Sequence, residues 1–332
     1  MNRQLFQYHP NIGYTFIPGL KTRVEHNEGG YLIRVNSSGF RSDWEFEPSK
    51  RPGVFRVLVF GDSFTAADRV SNKQRYTDVL AALLPGVEVY NFGLSGTGTD
   101  QQYLAYQEYA NGIEHDLLVI SVLVENIRRV ASRYRTFRNR EGQEVVFAKP
   151  YFTLAEDGTL LRHHKPVPKE HVSEKDLPPE ERPMIDRGGR FLWLRQVVNK
   201  FGFGLNDLAQ RVLRYQPLPE YNSPEYPAWQ VIRALLEQWI AESPVPVVLM
   251  PIPLYQHVER TASPRKYQAR FRELAQQTGA TVHDPLPDYL EVSRQERRGF
   301  RFKTDVHPTP ASHRLLAESL ASCIRGFMDE RS

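Results

Sequence analysis

Two periods of hydrophobic residues alternate along the chain. Val54–Phe60, Val87–Phe92, Leu117–Val124 and Val247–Met250 are short apolar runs rich in β-branched residues, the first two closed by Gly61 and Gly93, and Thr281–His283 is a shorter fifth. Runs that are apolar at nearly every position predict parallel strands covered on both faces. Segments of helical spacing lie between them. Thr99 stands as the cap of a helix reaching about Asn111, with Gly112 as its stop. Trp229, Ile232, Leu236 and Trp239 mark a helix from about Pro224 to Ala241. Ser263-Pro264 opens another, which Gly279 ends. Thr309-Pro310 opens a last helix whose Leu316, Leu320, Ile324 and Met328 form a stripe. Five strands interleaved with helices predict an α/β fold with a five-stranded parallel, doubly wound sheet.

Two stretches break this rhythm. Residues 1–53 are polar and turn-rich, with Asn36-Ser37-Ser38-Gly39 reading as a turn, and are taken as an N-terminal arm. Residues 128–222 carry many charges and a proline-rich stretch from Pro166 to Pro183. With the helix that follows, they are read as an insertion or lid over 128–240. The catalytic core is then 54–127 with 245–328, all within one domain.

Composition narrows the function classes. Lys plus Arg number 43 and Asp plus Glu 39, a net charge of +4 that permits an anionic partner without demanding one. The 25% charged and 40% hydrophobic residues are globular values. No apolar stretch approaches a membrane span, and Met1-Asn-Arg-Gln-Leu-Phe-Gln7 has no apolar core of a secretory leader, so a cytoplasmic location is expected. The lone Cys323 excludes an internal disulfide and a cysteine-rich zinc module, and it falls beside the stripe of the last helix as a small core residue. His163-His164 has no matching carboxylate or cysteine spacing, so no metal or cofactor is expected. Nucleic acid is a poor fit because the basic residues lack interleaved stacking aromatics. Oligomeric state is not legible.

In a doubly wound sheet, ligands bind at the carboxyl ends of the strands. The first strand ends in Gly61-Asp62-Ser63-Phe64-Thr65, the second in Asn91-Phe92-Gly93-Leu94-Ser95-Gly96-Thr97-Gly98 and the third in Val124-Glu125-Asn126; Asp305-Val306-His307-Pro308 precedes the last helix. A serine hydroxyl needs a neighbouring base, and the base needs a group that fixes its tautomer. Ser63 fits the nucleophile, His307 the base and Asp305 the orienting group. The backbone N–H groups of Ser63 and Gly93, with the Asn126 amide, fit an oxyanion hole. Asp62 reads as a residue that holds the turn, and it is kept with Arg133 and Arg135 as a candidate substrate-binding residue. His313, the rival histidine, falls in the first turn of the last helix and reads as structural. The 93–98 segment misses the spacing of both the G-x-S-x-G elbow and the dinucleotide loop, and reads as a turn offering backbone donors.

These blocks resemble those of the SGNH, or GDSL-type, hydrolase superfamily. Gly61-Asp62-Ser63-Phe64 is similar to its first block, Gly93 fits the second, Asn126 the third and Asp305-Val306-His307 the last; Asn36–Arg41 resembles a segment common in bacterial members, often near surface-polysaccharide genes. The resemblance spans roughly residues 10–127 and 245–328. It implies a three-layer α/β/α sandwich and metal-free ester chemistry on acyl groups of sugars, lipids or thioesters. The usual Asn-Asp pair of the third block is Asn126-Ile127 here, and Asp305 lies two residues before His307 where many members have three. Many members work with a serine–histidine dyad assisted by a backbone carbonyl, which leaves the role of Asp305 open. The expected activity is cleavage of a small O-acyl ester, including O-acetyl on a carbohydrate. An O-acyltransferase with the same serine and histidine, or a non-catalytic binding domain, are the alternatives. Arg128, Arg129, Arg133, Arg135, Arg138 and Arg140 form a cluster without an acid among them; Arg133 and Arg135 are candidates to grip an anionic substrate, against the alternative of a solvated face.

Overall fold

A computed structural model describes residues 5–26, 28–138, 141–187 and 216–330. The arm forms two antiparallel hairpins, β1 (Phe6–His9) with β2 (Gly13–Phe16) and β3 (Lys21–His26) with β4 (Gly29–Arg34). Then come β5 (Phe55–Gly61), the one-turn helix α1 (Ser63–Ala66), α2 (Tyr76–Leu83), β6 (Val87–Gly93), α3 (Thr99–Tyr109), β7 (Leu117–Leu123) and α4 (Asn126–Val130). The inserted segment supplies β8 (Tyr134–Arg138), β9 (Glu144–Ala148), β10 (Tyr151–Leu154), β11 (Leu160–His163), β12 (His171–Val172) and β13 (Ile185–Asp186). The chain closes with α5 (Pro227–Glu242), β14 (Val247–Ile252), α6 (Tyr255–Val258), α7 (Arg265–Thr278), β15 (Thr281–Val282), α8 (Leu286–Glu291), α9 (Arg294–Arg298) and α10 (Pro310–Asp329).

The main sheet has the order β15-β14-β7-β5-β6, and every pairing is parallel. Strand side chains alternate between its faces. Leu58, Phe60, Leu118, Ile120 and Leu249 meet Tyr103 and Tyr106 of α3, Trp229, Ile232, Leu236 and Trp239 of α5, and Phe271 of α7. Val57, Val59, Val119 and Val248 meet Tyr76 and Leu80 of α2 and Leu316, Leu320 and Ile324 of α10. This is the three-layer α/β/α sandwich that the resemblance implies. Gly279 ends α7 in the left-handed conformation, φ +75, as its position after the last helical residue requires.

Two regions differ from the sequence reading. The arm, read as polar and turn-rich, also carries core residues: Phe6, Tyr14, Phe16, Tyr31, Ile33, Val35 and Phe40 are buried in the same core as β5 and α3. Its strands are short and alternate, so its apolar residues are dispersed among polar ones. The inserted segment folds as a four-stranded sheet, order β12-β9-β8-β13, plus the β10–β11 hairpin. Its small core is Tyr134, Val146, Ala148, Leu177 and Ile185. Helix α5, which the division at 240 puts with the insertion, packs on the main sheet instead. Part of the inserted stretch, 188–215, lies outside the described residues, as does Arg140.

Candidate active site

The rim of the sheet is built around two glycines. Gly61 and Gly93 are directly paired across β5 and β6. A Cβ on Gly61 would sit 2.7 Å from Thr65 Cβ, and one on Gly93 would sit 2.6 Å from the Thr65 carbonyl carbon. Only glycine lets α1 lie this close over the strand ends. Asp62 caps that helix, its Oδ1 accepting the Phe64 N–H at 2.9 Å. Its other oxygen takes Arg129 Nη1 at 2.7 Å. Asp62 thus holds the turn that presents Ser63, with both its oxygens occupied.

Ser63 Oγ lies 3.0 Å from His307 Nε2. On the far side of the ring, His307 Nδ1 contacts Asp305 Oδ1, which also accepts the His307 backbone N–H at 2.9 Å. The two-residue spacing makes this possible: one carboxylate oxygen turns back onto both the ring and the backbone two residues on, as in an Asx-turn. Arg69 Nε donates to Asp305 Oδ2 at 2.8 Å. Burial opposes the charge on Asp305, but the hydrogen bond and charge of His307, with Arg69 behind, hold its pKa far below the usual carboxylate range. Burial alone would depress the His307 pKa, but the hydrogen bond and charge of Asp305, aided by Asp68, raise it above its ordinary value. A neutral His307 that donates from Nδ1 to Asp305 leaves Nε2 free to accept the Ser63 proton.

Asn126 opens α4 at the end of β7 and is fully buried. Among the described residues, neither its Nδ2 nor its Oδ1 has a hydrogen-bond partner. A buried orphan amide is costly, and this one sits at the strand-end rim. Gly93 is placed differently from expectation. Its N–H donates to Asn91 Oδ1 at 2.8 Å, and its missing side chain serves the packing of α1. A donor already engaged in this way is not free for an oxyanion, and this corrects the sequence assignment. The next glycine, Gly96, has φ +79 in the turn beyond the strand.

Four arginines of the cluster, Arg128, Arg129, Arg133 and Arg135, carry their own counter-charges. Arg128 pairs with Glu220 at 2.6 Å, Arg129 with Asp62, Arg133 with Glu181 at 3.0 Å, and Arg135 with Asp186. Arg135 is almost fully buried. Cations already neutralised are weak lures for an anion, so these pairs lend the expected anion grip no support. His313 is fully buried, accepts the Tyr76 N–H on Nδ1 at 3.3 Å, and burial pushes its pKa down to about 3.

Sequence reading missed several residues that hold the site. Asn91 Nδ2 donates to Thr65 O and Thr77 Oγ1, both at 2.7 Å, so one amide ties α1, α2 and β6 together. An amide near the end of an otherwise apolar strand was its available signal. Tyr14 of the arm donates to Ser95 O at 2.9 Å. Buried Arg41 donates through Nη1 to the carbonyls of Ala66 and Ala67 at 2.7 and 2.6 Å, and through Nη2 to Val70 O at 2.7 Å. Asp68 and Arg69, just past the first motif, face the histidine and Asp305.

A parallel α/β sandwich with a serine, a histidine and an aspartate meeting at its carboxyl rim defines a class of hydrolases that includes many esterases. The model of the GDSL-like Lipase/Acylhydrolase family matches residues 59–315, and the chain belongs to that family. No curated protein matches the chain. Among solved structures, it is similar to a lipolytic protein of the G-D-S-L family from Veillonella parvula DSM 2008, with 12% identity over 81% of this chain and 97% of that one, TM-score 0.42. It is also similar to a variant of an acetyl xylan esterase from Geobacillus stearothermophilus, with 15% identity over 81% and 95%, TM-score 0.43. A lipase/acylhydrolase from Enterococcus faecalis shares 15% identity over 82% and 96%, TM-score 0.42. Among the described residues, no helix is long and apolar enough to cross a membrane, and no group of three or more His, Cys, Asp or Glu side chains is arranged to hold a metal ion.

Proposed function

We propose that the protein is a serine esterase that cleaves a small O-acyl ester, such as an O-acetyl group on a carbohydrate, through an acyl-Ser63 intermediate. The observation that carries this reading is the 3.0 Å contact of Ser63 Oγ with His307 Nε2, on a ring whose other nitrogen faces Asp305. Ser63 Oγ attacks the ester carbonyl carbon as its proton passes to Nε2. The imidazolium so formed is stabilised by Asp305, which stays ionised. The tetrahedral intermediate collapses, the bond to the alcohol breaks, and Nε2 returns the proton to the leaving oxygen. Water then repeats the sequence on the acyl-enzyme. The unpartnered amide of Asn126 supplies one donor for the oxyanion. The Ser63 N–H and a backbone N–H of the turn at Gly96 supply the others.

Intact-mass analysis after a fluorophosphonate probe tests the assignment. A single adduct on the wild type, absent from Ser63→Ala and His307→Ala, is the expected result. A folded wild type that takes no adduct would overturn it. Acetyl transfer to an added alcohol that outruns hydrolysis would convert the reading to acyltransferase with the same serine and histidine.

A further inference from the structure

The chain reverses sharply after α1. Ala67 has φ +61 and Arg69 has φ +78, both in the left-handed region that non-glycine residues seldom occupy. Between them, the Asp68 N–H donates to Ser63 O at 3.0 Å. Arg41 holds the turn from below through the carbonyls of Ala66, Ala67 and Val70. The strained turn therefore aims two side chains at the histidine. Arg69 goes to Asp305 on the Nδ1 side. Asp68 goes to the other side, with Oδ2 3.9 Å from Nε2, the nitrogen that faces Ser63. Ser95 Oγ donates to Oδ1 and fixes the plane of the carboxylate. Among the described residues, no lysine or arginine lies within ion-pair distance of Asp68, and its side chain is partly exposed. Asp305 already orients the ring, so this second carboxylate is placed on the side where substrate must enter.

We propose that Asp68 accepts a hydrogen bond from a hydroxyl adjacent to the ester oxygen, so that the site selects esters of polyhydroxylated alcohols. This rests on the serine-esterase reading of the same site. The leaving oxygen takes its proton from Nε2 and so lies within hydrogen-bond reach of it, about 2.8 Å. The oxygen of a gauche vicinal hydroxyl lies about as far again from the leaving oxygen, which spans the gap to Asp68 Oδ2. The proton count is unchanged: the vicinal hydroxyl keeps its proton through acylation and deacylation, and Asp68 stays ionised. An ionised acceptor strengthens that hydrogen bond. An alcohol without the hydroxyl displaces water from Oδ2 and returns no donor to it, and an anionic alcohol is repelled. Sugars and glycerol share the required diol.

The test compares kcat/KM for glycerol monoacetate, a methyl glycoside monoacetate and ethyl acetate at the pH plateau. The wild type should prefer the two hydroxylated esters, and the larger of the two preferences names sugar or glycerol. Asp68→Asn keeps the shape and removes the charge. The ratio of hydroxylated to ethyl ester should then fall by about tenfold or more, the worth of a hydrogen bond to a charged acceptor. Ser95→Ala, which frees the carboxylate, should lower the same ratio by a smaller factor. A wild type without preference, or an Asp68→Asn in which all esters slow together, would overturn the proposal and leave Asp68 acting on His307 alone. If Asp68→Asn turns over too slowly, glycerol protection of Ser63 against the fluorophosphonate gives the same comparison. Protection in the wild type and none in the variant supports the contact, and equal protection rejects it. A wild type that takes no fluorophosphonate adduct would instead bring down the serine reading, and the proposal with it.

Discussion

His307 stands between opposed influences, and the balance sets how the protein should respond to pH. Burial and Arg69 disfavour its charge; the hydrogen bond and charge of Asp305 and the nearby Asp68 favour it; Phe64 covers it with ring centroids 5.6 Å apart and contributes no charge. The net effect raises its pKa above 6.5. The base is the neutral form, so kcat/KM should rise with pH through a limb lying above 6.5. Replacing Asp305 with Asn removes the main raising influence and leaves burial and an unpaired Arg69. The limb should move to lower pH, and plateau kcat should fall by about 10²- to 10⁴-fold as the ring loses its orienting partner. A pH–rate profile of the two proteins checks both parts, and a limb that does not move would assign the titration to another group. Ser63, Asp305 and His307 were legible as candidates in the sequence because each lies beside a strand end or a helix start. Arg69 was not, because its partner lies 236 residues away and no local pattern announces the pair.

At the scale of elements, the nucleophile is held by the fit of one short helix over two strands. Helix α1 has four residues, too few to hold itself together. Its stability comes from Asp62 at one end, Arg41 at the other, Asn91 beneath and the bare backbone of Gly61 and Gly93. Gly93→Ala is therefore expected to cost about 1–3 kcal/mol, read by urea denaturation. It should also slow fluorophosphonate labelling, because the obstructed atoms are the backbone of Thr65 and Ala66 next to the nucleophile. Normal labelling in a destabilised variant would separate packing from presentation. The five strands and the long helices were readable because burial on both faces makes a strand apolar throughout, and a core-facing helix repeats at its own period. The hairpins of the arm and the inserted sheet were not. Their strands, Lys21–His26 and Glu144–Ala148 among them, are short and half-exposed, and alternate residues with solvent.

Across the whole molecule, the arm ties the separate pieces of the rim together. The family match begins at residue 59, and the arm precedes it. Yet the arm reaches three of the segments that make the rim. Tyr14 bonds the Ser95 carbonyl, Arg41 the end of α1, and Glu28 takes the Thr304 N–H at 2.9 Å beside the loop of Asp305 and His307. His26 packs edge-on against Phe302 of the same loop, with centroids 5.3 Å apart. Arg41 has the most at stake because it is wholly buried, and burial together with Arg75 lowers its pKa to about 10. It remains charged at every working pH, and its hydrogen bonds run to three carbonyls and to Asn72 Oδ1. Arg41→Ala would take the guanidinium donors from those carbonyls and leave Ala67 O only the Val70 N–H at 3.4 Å, at about 1–3 kcal/mol for each acceptor that neither water nor another donor reaches. The variant should lose at least about 3 kcal/mol in urea denaturation. Where it remains folded, Ser63 should label more slowly, since the strained turn through Ala67 and Arg69 has lost its anchor. Arg41→Lys is the sharper probe, because an ammonium keeps the charge but lacks the fork that reaches several carbonyls at once. Stability recovered by lysine without recovery of the labelling rate would assign the fork to positioning the nucleophile. Full recovery of both would reduce Arg41 to a buried positive charge.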